Sequence, residues 1–336
     1  MSYKVQLLDE DIVFVTEEHE TILEAALRQG HSLPYGCRNG ICGSCKSKVV
    51  SGDVVYPDGT PEGLEENDIK QGYAFLCRAK ANCDVVIKAR TVETATVLRI
   101  RQFPCRVARC EKLNDDVMRL VLALPKTERL QFLAGQYINI ILQDGKHRSF
   151  SLASPPDQDQ NLELHIRHYN GGLFSEYAFK DLTEKTLLRI EGPLGQFTLQ
   201  ESDRPMIMIA GGTGFAPIKS LIEYSLKKNH KRSIQFYWGA RTVFDLYLNE
   251  IAETWSNENE HIQYYPVLSK VDKLNDWTGK TGFVHDAVLK DHADLSGYDI
   301  YACGPPPMIN AIVESFPKNG LDKDRLYSDS FEFAAN

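Results

Sequence analysis

The 336-residue chain lacks any long apolar run. Its longest, Met206–Ala210 among them, are of strand length. They fall far short of the roughly 20 residues that cross a bilayer, so no membrane contact is expected. Positive charge is also in short supply. Thirty-eight Lys and Arg face 46 Asp and Glu, a formal charge of −8. That balance disfavours nucleic acid as a general partner. The opening residues, Met1 to Glu10, lack the charged-then-apolar layout of a secretory leader, so the cytoplasm is the expected compartment. Nothing argues for the oxidising setting that disulfides need. Cys83, Cys105, Cys110 and Cys303 show no metal spacing. Ordinary composition, 43% hydrophobic and 25% charged, leaves material for two or three globular domains.

The other cysteines are concentrated. Cys37, Cys42 and Cys45 fall within nine residues, and Cys77 follows alone. The spacing C-x4-C-x2-C…C is the plant-type ligand set for a [2Fe–2S] cluster. Each iron takes two protein sulfurs beside two bridging sulfides, so four thiolates are needed. Gly36, Gly40 and Gly43 let the loop turn backbone N–H groups toward the sulfurs. Zinc is the competing metal, but its sites usually pair C-x2-C with a second close pair.

Around this loop, residues 1–92 form one small unit. Tyr3–Leu8 and Ile12–Val15 read as strands, and Thr21–Gly30 as a helix with Thr21 and Glu24 in capping-box positions. Glu62, Glu65, Glu66 and Asp68 make an acidic run, readable as a solvated face or as a dock for a basic partner. Arg38, Asn39 and Ile41, between the ligands, are the other docking candidates. The unit resembles a plant-type ferredoxin, which implies a β-grasp fold.

Residues 91–102 carry no turn punctuation and read as a connection. Residues 102–200 then hold short, evenly spaced strands, the pattern of an antiparallel barrel. Arg148-Ser149-Phe150-Ser151 alternates Arg148 and Phe150 on one strand face with Ser149 and Ser151 on the other. Gly171-Gly172-Leu173-Phe174-Ser175 is a glycine turn opening a helix, a seat for an anion. Glu191-Gly192-Pro193-Leu194-Gly195 reads as a Pro-Gly turn.

Residues 203–336 alternate strands and helices, the pattern of a doubly wound α/β domain. After the strand Met206–Ala210 comes Gly211-Gly212-Thr213-Gly214-Phe215-Ala216-Pro217, a loop fit for a pyrophosphate at a helix N-terminus. A second glycine turn, Cys303-Gly304-Pro305, ends a later strand, where ligands bind in such sheets.

These motifs resemble the ferredoxin–NADP reductase superfamily. Arg148–Ser151 and Gly172–Ser175 are similar to its R-x-Y-[ST] and G-x-x-S flavin motifs, with Phe150 where tyrosine is usual. Leu133–Ile138 and Thr281–His285 carry the likeness further. The resemblance implies FAD, with Arg148 on the pyrophosphate and Ser151 near N5. Ser149, Phe150, His165, Gly171, Gly172 and Ser175 complete the flavin set. It implies a nicotinamide dinucleotide on Gly212, Thr213, Gly214, Arg241, Gly304 and Pro305. Cys303 would stand beside the nicotinamide, and Phe331, or else Phe333, would cover the flavin. Ser151, Cys303 and Phe331 are thus the expected catalytic residues; His31, His147 and His285 are expected to be structural. Arg241 invites a 2′-phosphate and Asp245 repels it. Similar chains with G-A-R…D-L-Y mostly use NADH, so NADH is expected over NADPH. The whole resembles iron–sulfur flavoprotein reductases that feed electrons to an oxygenase or a deoxysugar dehydrase, and a monomer is expected. The alternatives are a stand-alone diaphorase or flavin reductase, or an iron–sulfur redox sensor.

Overall fold

A computed structural model describes residues 2–36, 38, 40, 43–89, 91, 98–271 and 277–331. The chain divides into two compact units, Met1–Leu98 and Arg99–Asn336.

The first unit is a β-grasp. Its strands are β1 (Tyr3–Leu7), β2 (Val13–Thr16), β3 (Lys46–Ser51), β4 (Val54–Val55), β5 (Tyr73–Phe75), β6 (Lys80–Ala81) and β7 (Val85–Lys88). The main sheet runs β2-β1-β7-β3-β5, and β4 pairs separately with β6. β1 and β7 are parallel, the other neighbours of the main sheet antiparallel. Helix α1 (Ile22–Arg28) buries Ile22, Leu23, Ala25 and Ala26. Both halves of its capping box form between Thr21 and Glu24, an arrangement worth about 1 kcal/mol. Just past the helix, the Gln29 side chain brackets the outer edge of β2. The Val15 amide donates to its Oε1 at 3.0 Å, and its Nε2 donates to the Val15 carbonyl at 2.7 Å. The acidic run becomes α2 (Glu66–Lys70) with its flank, where Asp68 pairs with Lys46 and Glu66 with Lys70.

The second unit begins with a barrel. Its strands are β8 (Arg101–Lys112), β9 (Val117–Ala123), β10 (Tyr137–Ile141), β11 (His147–Ser151), β12 (Asn161–Arg167) and β13 (Leu187–Leu194), with α3 (Leu173–Lys180) between the last two. Their order is β11-β10-β13-β8-β9-β12, antiparallel throughout. One bridge, Leu152 to Leu164, joins the two outer strands and closes the wall. The alternating apolar residues Leu162, Leu164 and Ile166 fill the interior with Leu120, Ile138 and Ile190. The segment Glu191–Leu194, expected as part of a turn, instead ends β13. Gly192 lies so close to Ile138 that a Cβ would sit 2.8 Å from its Cγ2.

A parallel sheet follows, ordered β17-β16-β15-β14-β18-β19. Its strands are β14 (Met206–Gly211), β15 (Ile234–Ala240), β16 (Ile262–Leu268), β17 (Lys280–Thr281), β18 (Asp299–Gly304) and β19 (Leu326–Ser330). Helices α4 (Phe215–Lys227), α5 (Asn249–Glu258), α6 (Val284–Asp291) and α7 (Pro306–Ser315) connect them. Before α5, Thr242 and Asp245 close a capping box around the short turn Val243–Asp245. Strand order reverses between β14 and β18, which opens a crevice at their C-terminal ends.

Asp299 is fully buried where β18 begins. Arg232 donates to it at 2.6 Å and Arg325 at 3.4 Å. Breaking such a buried pair leaves uncompensated charge. Asp299→Asn is therefore expected to lower unfolding free energy by about 3–5 kcal/mol. Urea titration followed by tryptophan fluorescence checks this, since Trp238, Trp255 and Trp277 all lie in the nucleotide domain.

Candidate functional site

Of the four cluster cysteines, Cys45 and Cys77 are described, while Cys37 and Cys42 lie outside the described residues, as do Asn39 and Ile41. Cys45 and Cys77 are both buried. Their sulfurs approach to 3.1 Å, far beyond the ~2.05 Å of a disulfide. Two thiols so placed can meet on one tetrahedral metal. Gly40 and Gly43 have φ of +82° and +74°, a region open mainly to glycine. A Cβ at Gly40 would also strike Pro61 and Arg78 at 2.9 Å. Arg38 shares the left-handed region and pairs with Glu24 at 3.5 Å. The donors present fit the cluster.

The flavin motifs meet through their aromatic residues. The Phe150 ring packs on Phe174 of α3, with centroids 5.3 Å apart. β11 therefore runs beside the α3 N-terminus. Arg148 donates through Nη1 to the His147 carbonyl, while its Nη2 is buried with no protein partner. A buried, unanswered guanidinium nitrogen near a helix N-terminus suits a pyrophosphate. Ser151 is buried beside the closing bridge. Two other hydroxyls are already committed. Ser149 donates to Asn139 at 2.7 Å on the other strand face. Ser175 Oγ accepts from the Tyr169 amide at 3.2 Å and staples the glycine turn. A Cβ at Gly172 would lie 2.5 Å from that oxygen, which is why the position is glycine. Gly171 has φ +78° and open space where a side chain would point.

An opening of about 560 Å³ lies at the reversal of strand order. Gly211, Gly212, Thr213, Pro305, Met308 and Phe331 line it. Here backbone packs on backbone. A Cβ at Gly214 would sit 2.0 Å from the Cys303 carbonyl oxygen, and one at Gly304 would lie 3.0 Å from the Gly211 Cα. The Phe331 amide donates to the Gly304 carbonyl at 2.9 Å, which draws the chain end to the cleft. Phe333 lies outside the described residues.

Cys303 is not among the residues lining this cleft. Strand alternation turns its side chain into the core with Phe215, Trp238 and Tyr301. It is fully buried, and burial pushes the thiol well above its ordinary pKa. His285, expected to be structural, lines the cleft and has a buried Nδ1 without a hydrogen bond. Its ring stacks on Phe283 at 5.6 Å.

Sequence reasoning missed Arg167. From β12 its Nη1 lies 2.9 Å from where a Gly212 Cβ would be, so a barrel residue leans on the glycine loop. Two carboxylates hold it, Asp116 at 2.6 Å and Asp245 at 3.3 Å. The same pair holds Arg241, at 3.4 Å and 3.1 Å. Asp116 also comes from the barrel, from the turn between β8 and β9. Asn114 in that turn donates to the Phe244 carbonyl at 2.9 Å.

His165, also in the expected flavin set, is held within the protein. Its side chain is wholly covered and both nitrogens have protein partners. Burial lowers its pKa, so the ring is neutral. Nε2–H donates to Glu163 at 2.8 Å and Nδ1 accepts from the Tyr247 hydroxyl at 2.9 Å. The imidazole ties barrel to nucleotide domain. Glu163 also draws buried Lys219 at 3.5 Å and Arg119 at 3.6 Å.

Three family models match the chain. They describe a 2Fe-2S iron-sulfur cluster binding domain over residues 5–82, an oxidoreductase FAD-binding domain over 104–199 and an oxidoreductase NAD-binding domain over 208–314. The chain is 40% identical over 331 residues to a CDP-6-deoxy-L-threo-D-glycero-4-hexulose-3-dehydrase reductase of Yersinia pestis, covering 98% of this chain and 99% of the relative. It is 32% identical to reductase component 1 of terephthalate 1,2-dioxygenase from Comamonas, covering 98% of each. The crystal structure of the Amycolatopsis cytochrome P450 reductase GcoB superposes with a TM-score of 0.83 at 30% identity, again over 98% of each chain.

Burial pushes the Glu163 carboxyl up, but the His165 hydrogen bond, Lys219 and Arg119 outweigh it and bring the pKa to about 2. A depressed folded pKa stabilises above the unfolded value near 4.5 and loses that contribution as pH falls toward 2. The advantage of the native protein over Glu163→Gln is therefore expected to shrink by about 3 kcal/mol across that window. Denaturation curves of both proteins at a series of pH values measure it; a pH-independent difference would contradict the assignment.

Proposed function

The chain belongs to the iron–sulfur flavoprotein reductases of the ferredoxin–NADP reductase superfamily, and on that premise we propose how its own residues serve the activity. The enzyme is an NAD(P)H:acceptor oxidoreductase that uses FAD and a [2Fe–2S] cluster to pass electrons singly to a partner enzyme. Bound flavin and cluster supply the redox chemistry; the protein supplies orientation and electrostatics.

Arg148 and the α3 N-terminus hold the flavin pyrophosphate. The buried, unpartnered Nη2 of Arg148 is the observation that carries this assignment. Ser151 addresses the ring, and Phe150, lacking a hydroxyl, offers only its apolar face. Gly212, Thr213 and Gly214 present backbone to the dinucleotide pyrophosphate, where Arg167 adds charge. Gly304 and Pro305 bound the nicotinamide end, with Phe331 as the aromatic cover. Cys37, Cys42, Cys45 and Cys77 hold the cluster. Hydride transfer needs no acid–base dyad, and none is assigned.

The partner proposed is a CDP-6-deoxyhexulose dehydrase. Support comes from 40% identity to a reductase of that kind, against 32–34% for the oxygenase reductases. Reconstitution with each kind of partner decides; coupling only to an oxygenase component would reverse the choice. The protein is proposed to act as a monomer in the cytoplasm. Among the described residues, no helix is long and apolar enough to cross a membrane.

NADH is the proposed coenzyme, because both cations at the cleft rim are already paired with carboxylates. Comparing kcat/KM for NADH and NADPH tests this, and a preference for NADPH overturns it. Cys77→Ser is expected to abolish cytochrome c reduction yet retain most NADH–ferricyanide turnover. Equal loss of both would contradict a cluster that serves only the outgoing side.

A further inference from the structure

The rim of the dinucleotide cleft holds two guanidiniums and two carboxylates, and one carboxylate is out of place. Arg241 directly follows β15, where a cation receives the 2′-phosphate of NADPH and an acid receives the ribose of NADH. Asp245 is local to that strand end. It is locked by the Thr242 amide and hydroxyl, both at 2.9 Å. Asp116 arrives from the flavin barrel and reaches across to Arg241 and Arg167. The barrel turn is pinned there by Asn114, whose Oδ1 accepts from the Asp116 and Val117 amides and whose Nδ2 donates to the Phe244 carbonyl.

We infer that Asp116, a residue of the flavin barrel, determines coenzyme selectivity by occupying Arg241 and rejecting the 2′-phosphate. A phosphate approaching Arg241 meets two carboxylates within 3.4 Å of the same guanidinium. It must displace them or lie beside them, and like charges so close discriminate against the wrong ligand. NADH brings only a ribose hydroxyl and meets no such repulsion. Arg241 alone would predict NADPH use; the carboxylate from the other domain reverses its meaning. Asp116 is thus a positioning residue that acts through Arg241. The inference rests on the NADH reading above and adds the residue responsible for it.

Asp116→Asn removes the charge and keeps the shape. The backbone bonds of the turn, including the His168 amide to the Asp116 carbonyl at 2.8 Å, do not depend on that charge. Holoenzyme of the native protein, Asp116→Asn, Asp116→Glu and the double variant Asp116→Asn/Arg241→Ala would be titrated calorimetrically with ADP and with 2′,5′-ADP. The kcat/KM ratio for NADH and NADPH would be taken in parallel. Asp116→Asn is expected to tighten 2′,5′-ADP relative to ADP by about tenfold, the scale of one screened charge contact. The gain should appear in the NADPH KM. Asp116→Glu should keep the native ratio, and removing Arg241 should cancel the gain. A ratio unchanged in Asp116→Asn, or a gain that survives loss of Arg241, overturns the inference. So does loss of flavin absorbance in Asp116→Asn, which would make the residue merely structural. A native preference for NADPH overturns the coenzyme reading itself, and that result appears before any variant is made.

Discussion

The nucleotide domain depends on backbone meeting backbone at the point where its strand order reverses. Gly214 stands against the Cys303 carbonyl, and Gly304 against Gly211, with no room for a methyl group at either contact. These contacts bring the ends of β14 and β18 together. Only then can Gly212 and Thr213 face a ligand with bare N–H groups and Phe331 be drawn in by the Gly304 carbonyl. Much of the floor of the cleft is therefore backbone. What discriminates among ligands must come from its rim.

The rim and the layer beneath it are shared between the barrel and the parallel sheet. Arg167 and Asp116 reach over from the barrel at the surface. Deeper, Glu163, His165 and Tyr247 form a buried hydrogen-bonded line across the same boundary, with Lys219 balancing the carboxylate. Polar groups buried this way must be fully answered, and such networks specify one arrangement more sharply than apolar packing does. The flavin motifs on β11 and α3 and the glycine loop after β14 are thereby held in one compact unit. A hydride donor and its acceptor require that kind of fixed geometry.

Much of this was legible in the order of residues, and the reason is locality. Four thiolates on two irons impose a spacing, and glycine loops before helices announce phosphate seats, so Cys45, Gly172 and Gly212 could be singled out. The period of the strands separated the barrel from the α/β domain. What stayed hidden was non-local. Asp116 and Arg167 matter because a turn and a strand of one domain happen to face the other, and no short pattern encodes that. Which way His165 and Cys303 point was equally hidden, because a strand residue has two possible faces and only packing chooses between them. Ser149 and Ser175 fit a binding pattern by type, yet Asn139 and Tyr169 had already claimed their hydroxyls.

The amide of Gln29 on the edge of β2 has a consequence of another kind. The sheet of the first unit is open, and its outer strand carries the exposed Val13 and Val15. Such an edge invites a second polypeptide to add itself as a further strand. At Val15 both backbone groups are already engaged by one side chain, which mimics an incoming peptide. The barrel solves the same problem by closure. One side chain on the edge strand thus serves as a guard against pairing with a further strand.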